Sequence, residues 1–133
     1  MLPSFRFHHI GVAVRSIEKT AQIYLQGGYS RSETTFDPVQ NVNICWLSRE
    51  GMPLVELLAP VDAASPVCGT LEKNGVTPYH TCYEVDSLDE AVADLRRMKY
   101  ALVGAPAPAV AIGGRRVCFL YNRDAGLIEL VEK

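Results

Sequence analysis

HIGVAVRSIE, at residues 9–18, matches HTCYEVDSLD, at residues 80–89, in a chain of 133 residues. Histidine aligns with histidine, valine with valine and serine with serine, at a constant offset of 71 residues, from 9 to 80. In both stretches a short apolar run precedes a serine and a helical pattern, which predicts a strand followed by a helix. The repetition predicts that the chain contains two copies of one structural unit.

A second pair of matching segments closes each half. LVELL at residues 54–58 resembles LIELV at residues 127–131, and the offset from Glu56 to Glu129 is 73 residues. About two residues have therefore been gained between the matched blocks. Each half is predicted to open with a strand that begins at a histidine and to close with an apolar strand that contains one glutamate.

The first half reads as a strand, a helix and three further strands. Ser16 is a favourable N-cap, apolar residues follow it at helical spacing, and Gly27-Gly28 ends the pattern. The predicted strands are residues 9–14, 29–35, 42–48 and 54–58. A short helix over residues 66–73, with Ser65 as its N-cap, is predicted in the connection to the second half.

The second half repeats this order. Ser87 is the predicted N-cap of a helix that ends near Lys99. The predicted strands are residues 80–85, 101–103, 115–121 and 127–132, with a further short strand at 109–112 turned by Gly113-Gly114. Residues 105–108 are predicted as a loop because they are rich in proline. The fold class is α+β, in one domain of residues 1–133, with module 1 at about 7–60 and module 2 at about 78–133.

The bulk composition excludes several classes of function. The chain has 13 Lys and Arg against 15 Asp and Glu, so it has no basic excess to neutralise nucleic-acid phosphates. No apolar run approaches the ~20 residues of a membrane span, and residues 1–7 lack the apolar stretch of a signal peptide. A cytoplasmic protein is expected. Cys45, Cys82 and Cys118 lie in apolar strands and are predicted to be small buried hydrophobic residues.

The two strand glutamates need an explanation. Glu56 shares one strand face with Leu54 and Leu58, so exposing the carboxylate to water would expose two leucines as well. A buried carboxylate without a partner is costly. One such residue could belong to an edge strand, but the same arrangement recurs at Glu129, so the duplication indicates a shared cause.

A divalent metal ion supplies that cause. Two carboxylates balance its charge and two imidazoles complete the donor set, which predicts His9, Glu56, His80 and Glu129 as ligands. Two nitrogen and two oxygen donors suit Co, Mn, Zn, Ni or Fe better than Ca or Mg. An octahedral ion would keep two positions for water or substrate. The alternative for a lone strand histidine is a structural hydrogen bond, and for a lone glutamate an ion pair or a solvated face. His8 has the opposite parity from His9 and is interpreted as structural or peripheral.

These residues resemble the vicinal oxygen chelate superfamily, which includes glyoxalase I, extradiol dioxygenases, bleomycin-resistance proteins and methylmalonyl-CoA epimerase. The resemblance covers residues 7–132 and is nearest to the epimerase branch. Four segments carry it: HHIGVAV (8–14), VELLAP (55–60) followed by SP (65–66), HTCYEVD (80–86) and GLIEL (126–130).

The resemblance implies a curved mixed sheet, or half-barrel, around a central metal cleft, with the same four residues as ligands. It implies proton transfer next to the carbonyl of an acyl thioester such as an acyl-CoA. The metal would act there as a Lewis acid that stabilises enolate charge. Glu129 is the predicted proton-transfer residue, because a carboxylate can loosen from a metal and stay beside the substrate. The second acid or base is not identified.

The chain departs from the epimerase pattern near the expected substrate. Tyr79 stands where a second histidine is common, and YNRD at residues 121–124 replaces a turn of the His-Pro-Lys-Asp type. The strand at residues 41–48 carries Asn43 and Trp46, and it offers no acid or base except through the amide of Asn43. Arg115 and Arg116 are candidate contacts for a phosphate or carboxylate, with a solvated strand end as the alternative.

The leading interpretation is therefore a metal-dependent epimerase or isomerase. A lactoylglutathione lyase of the glyoxalase I type would share the four ligands, so the metal set does not separate the two. A binding or resistance protein of this superfamily usually lacks the ligands. An extradiol dioxygenase needs two histidines and one carboxylate, whereas this chain offers a second carboxylate. A homodimer is expected from the resemblance alone.

Overall fold

The computed structural model describes all residues, 1–133, and contains nine β-strands, three α-helices and one 3-10 turn. The chain divides into two compact units. The first unit consists of residues 9–79, and the second consists of residues 80–133 together with residues 1–8. Each unit is described by itself below. The predicted α+β class with two βαβββ modules is confirmed.

The first unit builds its sheet from the strands that follow one helix. Its elements are β1 (Arg6–Ala13), α1 (Ile17–Gln26), β2 (Ser30–Arg31), β3 (Thr35–Asp37), β4 (Val42–Ser48), β5 (Val55–Pro60) and α2 (Val67–Asn74). The strand order is β2-β4-β5-β1, and β3 also pairs with β4. Strand β5 runs parallel to β1 and antiparallel to β4, so it is paired on both sides.

Helix α1 covers one face of this sheet. The hydroxyl of Ser16 accepts a hydrogen bond from the backbone N–H of Lys19 at 3.2 Å, which confirms the predicted N-cap. Ile17 and Ala21 are buried on the inner side of the helix. They join an apolar cluster with alternate residues of β4 and β5: Cys45, Leu47, Val55, Leu57 and Ala59. Glu56 belongs to the other set of alternate residues on β5, so it points to the opposite face from this cluster.

The second unit repeats the arrangement. Its elements are β6 (Thr77–Val85), α3 (Leu88–Arg97), β7 (Ala101–Ala109), the 3-10 turn Val110–Ile112, β8 (Arg115–Asn122) and β9 (Gly126–Glu132). The strand order is β6-β9-β8-β7, with β9 parallel to β6 and antiparallel to β8. Strand β9 is therefore the counterpart of β5, and β8 is the counterpart of β4.

Two side chains satisfy the first turn of helix α3. The hydroxyl of Ser87 accepts a hydrogen bond from the N–H of Glu90, as the sequence predicts. The carboxylate of Glu132, at the end of β9, accepts a second from the N–H of Leu88 at 2.8 Å. The inner side of the helix, at Leu88 and Leu95, packs into the largest buried cluster of the unit.

Strand β7 corrects the prediction of a proline-rich loop. Residues 105–108 lie inside β7, and Pro108 pairs with Arg116 of β8. β7 is the last strand in its order, so a proline that lacks an N–H removes no ladder hydrogen bond on the outer side. The register shifts between Val103 and Ala107, a stretch that contains Pro106 and Gly104, whose φ is 78°. The predicted short strand at 109–112 is also wrong, because Val110–Ile112 forms a 3-10 turn.

Two smaller expectations in the first unit need correction. The predicted strand at residues 29–35 is divided into β2 and β3. Helix α2 forms where predicted, but its N-cap is Pro66 rather than Ser65. The buried Ser65 hydroxyl instead accepts hydrogen bonds from the N–H groups of Val61 and Asp62 and donates to the carbonyl of Asn41. It ties a loop together and is not available to cap the helix.

The N-terminal segment needs a separate description, because the unit boundary divides strand β1 between the two units. Residues 1–8 group with the second unit, not with module 1. Phe5 and Phe7 contact the ring of Tyr83, and Arg6 forms ion pairs with Glu84 and Asp86. These contacts explain the grouping, which alternating hydrophobicity alone does not reveal.

Two further expectations concern the cysteines and the membrane. Cys45, Cys82 and Cys118 are buried free thiols, as predicted for small hydrophobic residues in strands. None of the helices has the length and apolar character that crossing a membrane would require.

Candidate metal centre

In the first unit, His9 and Glu56 form a buried pair. Nε2 of His9 lies 3.4 Å from Oε1 of Glu56, and the side chains are 0% and 4% exposed. The pair results from the register of β1 and β5, in which Gly11 lies beside Glu56. His9 is two residues before Gly11, so it shares the strand face of Glu56.

In the second unit, His80 and Glu129 form an equivalent pair. Nε2 of His80 lies 3.1 Å from Oε2 of Glu129, and both side chains are at most 2% exposed. Cys82, two residues after His80, lies beside Glu129 in the register of β6 and β9. The histidine and glutamate are therefore related by the same strand register in both units. The duplication seen in the sequence is reproduced in the geometry of the side chains.

Each pair also has an aromatic ring that the sequence analysis did not identify. Trp46 lies directly opposite Glu56 on β4, and its ring meets the His9 ring edge-on, with centroids 4.9 Å apart at 84°. Phe119 lies directly opposite Glu129 on β8, and its ring meets the His80 ring at 5.3 Å and 86°. The offset from 46 to 119 is 73, the same as between the glutamates, and that spacing was the available signal.

The donor atoms fit a divalent transition-metal ion, which accepts both nitrogen and oxygen ligands. Each pair supplies one imidazole nitrogen and one carboxylate oxygen, so the four side chains offer two nitrogens and two oxygens. Four buried groups of this kind in apolar strands are costly without a counter-charge. The two carboxylates carry the charge that a divalent cation neutralises. The same set is a poor match for Ca²⁺ or Mg²⁺, which prefer all-oxygen shells.

The second unit surrounds its pair with apolar side chains. A cluster on the face of Glu129 contains Cys82, Val117 and Val131, and Ile112 of the 3-10 turn packs against it. Such surroundings exclude water from one side of the pair. A low local dielectric strengthens electrostatic interactions with any ion or substrate oxygen that binds there.

Asn43 does not lie on the same face as the glutamate. It pairs with Ala59 of β5, three positions along the strands from the Trp46–Glu56 pair. Because this separation is odd, the two pairs lie on opposite faces of the sheet. It therefore points to the face that packs against helix α1, where Ala59 belongs to the apolar cluster of Ile17 and Ala21 (the α1 cluster). The polarity of Asn43 makes it a candidate from sequence alone, whereas its position relative to Glu56 along the paired strands places it on the other face.

Arg115 is already engaged by protein partners. Its Nη2 lies 2.5 Å from Oε2 of Glu84, and its Nε donates to the carbonyl of Glu132 at 2.7 Å. Arg115 in turn holds the pKa of the Glu84 carboxyl below its usual value, with a second contribution from Arg6. A substrate anion at Arg115 would have to compete with Glu84.

Arg116 lies on the opposite face of β8 from Phe119, and so on the opposite face of the sheet from Glu129 of β9. It pairs at the surface with Glu132 at 3.3 Å and with Asp89, on the first turn of α3, at 3.4 Å. Hydrogen bonding to Asp89 is the main cause that raises the pKa of the Arg116 guanidinium. The structure does not bring Arg116 together with the His80–Glu129 pair.

Comparison with known proteins gives a consistent result. The profile of the glyoxalase/bleomycin resistance protein/dioxygenase superfamily matches residues 8–119. The mitochondrial methylmalonyl-CoA epimerase of Homo sapiens is 35% identical over 131 residues, which cover 94% of this chain and 72% of that protein.

Solved structures of similar proteins extend over almost the whole chain. A methylmalonyl-CoA epimerase from Mycobacterium tuberculosis has a TM-score of 0.85 at 26% identity, covering 99% of this chain and 92% of that one. A variant methylmalonyl-CoA epimerase from Streptomyces coelicolor, in complex with 2-nitronate-propionyl-CoA, has a TM-score of 0.81 at 27% identity and covers 96% of each chain.

Proposed function

We propose that this chain, which belongs to the glyoxalase/bleomycin resistance protein/dioxygenase superfamily, is a metal-dependent epimerase that acts on methylmalonyl-CoA or a closely related acyl-CoA. The similar proteins named above are methylmalonyl-CoA epimerases, and one of them was solved with an acyl-CoA analogue. The observation that carries the proposal is the duplicated, buried His–Glu pair in an identical strand register.

The proposed ligands are His9, Glu56, His80 and Glu129, and the ion is one of Co, Mn, Zn, Ni or Fe. Two carboxylates and two neutral imidazoles would carry a total charge of −2, which balances one divalent ion. This balance explains why four polar groups are buried in strands that are otherwise apolar. A bound ion would act as a Lewis acid towards negative charge that develops on the thioester oxygen.

Glu129 is the proposed proton-transfer residue. Its carboxylate has one oxygen beside His80, and the carboxyl group can exchange partners by rotation about a single bond. A carboxylate beside the substrate can accept a proton from the carbon next to the carbonyl and return it. The apolar cluster at Cys82, Val117 and Val131 keeps bulk water from this face of the second unit.

The test combines metal content with proton exchange. Protein purified without added metal is analysed for transition ions, and methylmalonyl-CoA in deuterated buffer is followed for incorporation of deuterium next to the carbonyl. We expect about one ion per chain and exchange by the wild type. Glu129→Gln should slow exchange by roughly 10²- to 10⁴-fold, the range for loss of a general base, and Glu56→Gln should weaken metal retention.

The matched control is Glu72→Gln, which changes an exposed carboxylate on α2 and should leave both measurements unchanged. A protein that takes up no cobalt or manganese, even after soaking, would contradict the catalytic proposal and favour a small-molecule binding protein. Metal binding with turnover of a glutathione hemithioacetal, and without exchange on acyl-CoA, would favour a lactoylglutathione lyase instead.

A homodimer and a cytoplasmic location complete the proposal, and both derive from the family resemblance alone. Light scattering coupled to size-exclusion chromatography measures the first, with twice the mass of the chain expected. Fractionation of cells that produce the native protein measures the second. A monomeric mass or a membrane-bound fraction would contradict the respective expectation.

A further inference from the structure

Trp46 and Phe119 occupy equivalent positions next to the two histidines. We infer that both are positioning residues, which fix the imidazole rings of His9 and His80 in the orientation that a metal ion requires. This inference rests on the proposed metal site, and it assigns a role to two side chains that are not ligands themselves.

The ring contacts have the geometry of a specific interaction. Both are close to perpendicular, at 84° for His9 with Trp46 and 86° for His80 with Phe119, and both centroid separations lie in the favourable range for edge-to-face packing. One such contact could be incidental packing. The same contact at equivalent register positions in two units indicates a common requirement.

Each aromatic residue is linked to both members of its pair. Trp46 touches the His9 ring and is the direct cross-strand neighbour of Glu56. Directly opposite residues on antiparallel strands have neighbouring Cβ atoms. A shift of Trp46 would therefore disturb a nitrogen donor and an oxygen donor together. Phe119 has the same relation to His80 and Glu129.

The backbone at Trp46 is held from a second side. Its N–H donates to the hydroxyl of Ser32 at 2.8 Å, and its carbonyl accepts from the N–H of Ser32 at 2.9 Å. The Ser32 hydroxyl donates in turn to the carbonyl of Glu33. The tryptophan ring thus projects from a fixed backbone, as a residue that positions another side chain must.

A metal ion bonds along the lone pair of one ring nitrogen. The rotation of the imidazole about χ2 sets the direction of that lone pair, and so it affects the affinity for the metal. That torsion is broad for histidine when nothing restrains it. A perpendicular aromatic ring restrains it without using a nitrogen atom. Residues outside the ligand set that orient metal-bound histidines commonly change metal affinity by about 10- to 100-fold.

The experiment measures metal affinity directly, by competition with a chelator, in the variants Trp46→Leu, Trp46→Phe and Phe119→Leu. We expect the two leucine variants to bind cobalt about 10- to 100-fold more weakly and with an altered visible absorption spectrum. Trp46→Phe, which copies the ring of the second unit, should restore affinity to within about threefold of the wild type because the edge-to-face contact is kept.

The fluorescence of Trp46 also offers a direct measure of metal binding. It is the only tryptophan, and its ring lies 4.9 Å from that of His9, so cobalt arriving at His9 should quench its fluorescence. The same titration can be followed in Phe119→Leu, which keeps this tryptophan. Phe119→Leu therefore tests the inference independently if Trp46→Leu does not fold.

The matched control is Tyr24→Leu. Tyr24 and Tyr29 form a perpendicular contact of the same kind, at 5.0 Å and 87°, in the α1 cluster of the first unit. We expect Tyr24→Leu to lose stability while keeping the cobalt affinity and spectrum of the wild type. Equal weakening in Tyr24→Leu would show general destabilisation and overturn the inference.

The remaining outcomes separate this inference from the proposed function. If the wild type binds cobalt and both leucine variants bind it as tightly with the same spectrum, the positioning role is wrong and the metal site stands. If the wild type binds no metal, both fail together.

Discussion

At the scale of single residues, Glu56 and Glu129 are carboxylates that the fold buries inside strands. Each lies on a strand with apolar neighbours, and each has an imidazole nitrogen within 3.4 Å. Burying an ionised carboxylate carries a large desolvation cost even beside a hydrogen-bonding nitrogen. The proposed divalent ion would offset that cost, because its charge balances that of the two carboxylates.

The cysteines give a residue-scale prediction. Burial is the main cause that raises the pKa of the Cys118 thiol to about 12, and Cys45 and Cys82 are buried as well, whereas Cys68 is half-exposed on α2. At pH 8 the thiolate fraction of Cys118 is roughly a thousandfold below that of an ordinary thiol. We expect an aromatic disulfide reagent to label one thiol rapidly in the folded protein and all four in denaturant.

Cys68→Ser should abolish the rapid phase and leave the slow labelling unchanged. Rapid modification of two or more thiols in the native protein would show that the strand cysteines are more accessible than their burial indicates. The measurement is the absorbance of the released thiolate against time.

At the scale of elements, a charged network joins strands β6 and β8 to the N-terminal residues that group with the second unit. The carboxylate of Glu84 on β6 receives Arg115 from β8 and Arg6 from the start of β1. Its pKa is lowered from the usual value of 4.5, first by the hydrogen bond from Arg115 and then by that from Arg6. The ionised form is thus favoured in the folded state, and its contribution to stability is present at neutral pH.

That contribution is lost as the pH falls through the lowered pKa, because the carboxyl is then protonated in both the folded and the unfolded chain. We expect Glu84→Gln to lower the unfolding temperature at pH 7, and the difference from the wild type to shrink as the pH falls well below 4.5. Thermal unfolding followed by circular dichroism across this range measures it.

The control for this series is Glu50→Gln, in an exposed turn, which should change the unfolding temperature little at either end of the range. A difference between Glu84→Gln and the wild type that grows on acidification would have the wrong sign for a carboxyl whose pKa is lowered by folding.

Periodicity and capping predicted most elements, and the exceptions have physical causes. Ser16 and Ser87 cap their helices as expected because an N-cap is a local interaction. Only the start of strand β7, at residues 101–103, was predicted, since the prolines that follow are compatible with a strand only at an edge, and edge position depends on the tertiary order. The His–Glu pairs were found through duplication. Trp46 and Phe119 were missed because apolar rings in strands look like ordinary core residues.

At the scale of the whole molecule, a bound ion should change the stability of the chain. A ligand that binds the folded state alone stabilises it by about 2.7 kcal/mol at a free concentration of 100 times Kd. For a chain of this size we expect roughly 5–10 °C in Tm between chelated and metal-saturated protein. Differential scanning calorimetry measures the shift.

Glu129→Gln should lose most of this shift, since it removes one oxygen donor and one balancing charge, while Glu72→Gln should keep it. A Tm that is independent of added cobalt, manganese, nickel, iron and zinc would falsify the idea that metal binding and folding are linked in this chain.

Strand β7 has a further consequence for the behaviour of the protein at high concentration. An unpaired strand edge is a template on which other chains can polymerise, and edge prolines remove the N–H groups that such a template needs. Pro106 and Pro108 lie on the outermost strand of the second unit, next to a shift in register that bends it. We therefore expect the same two residues that interrupt the periodic pattern of the sequence to oppose pairing of this edge with another chain.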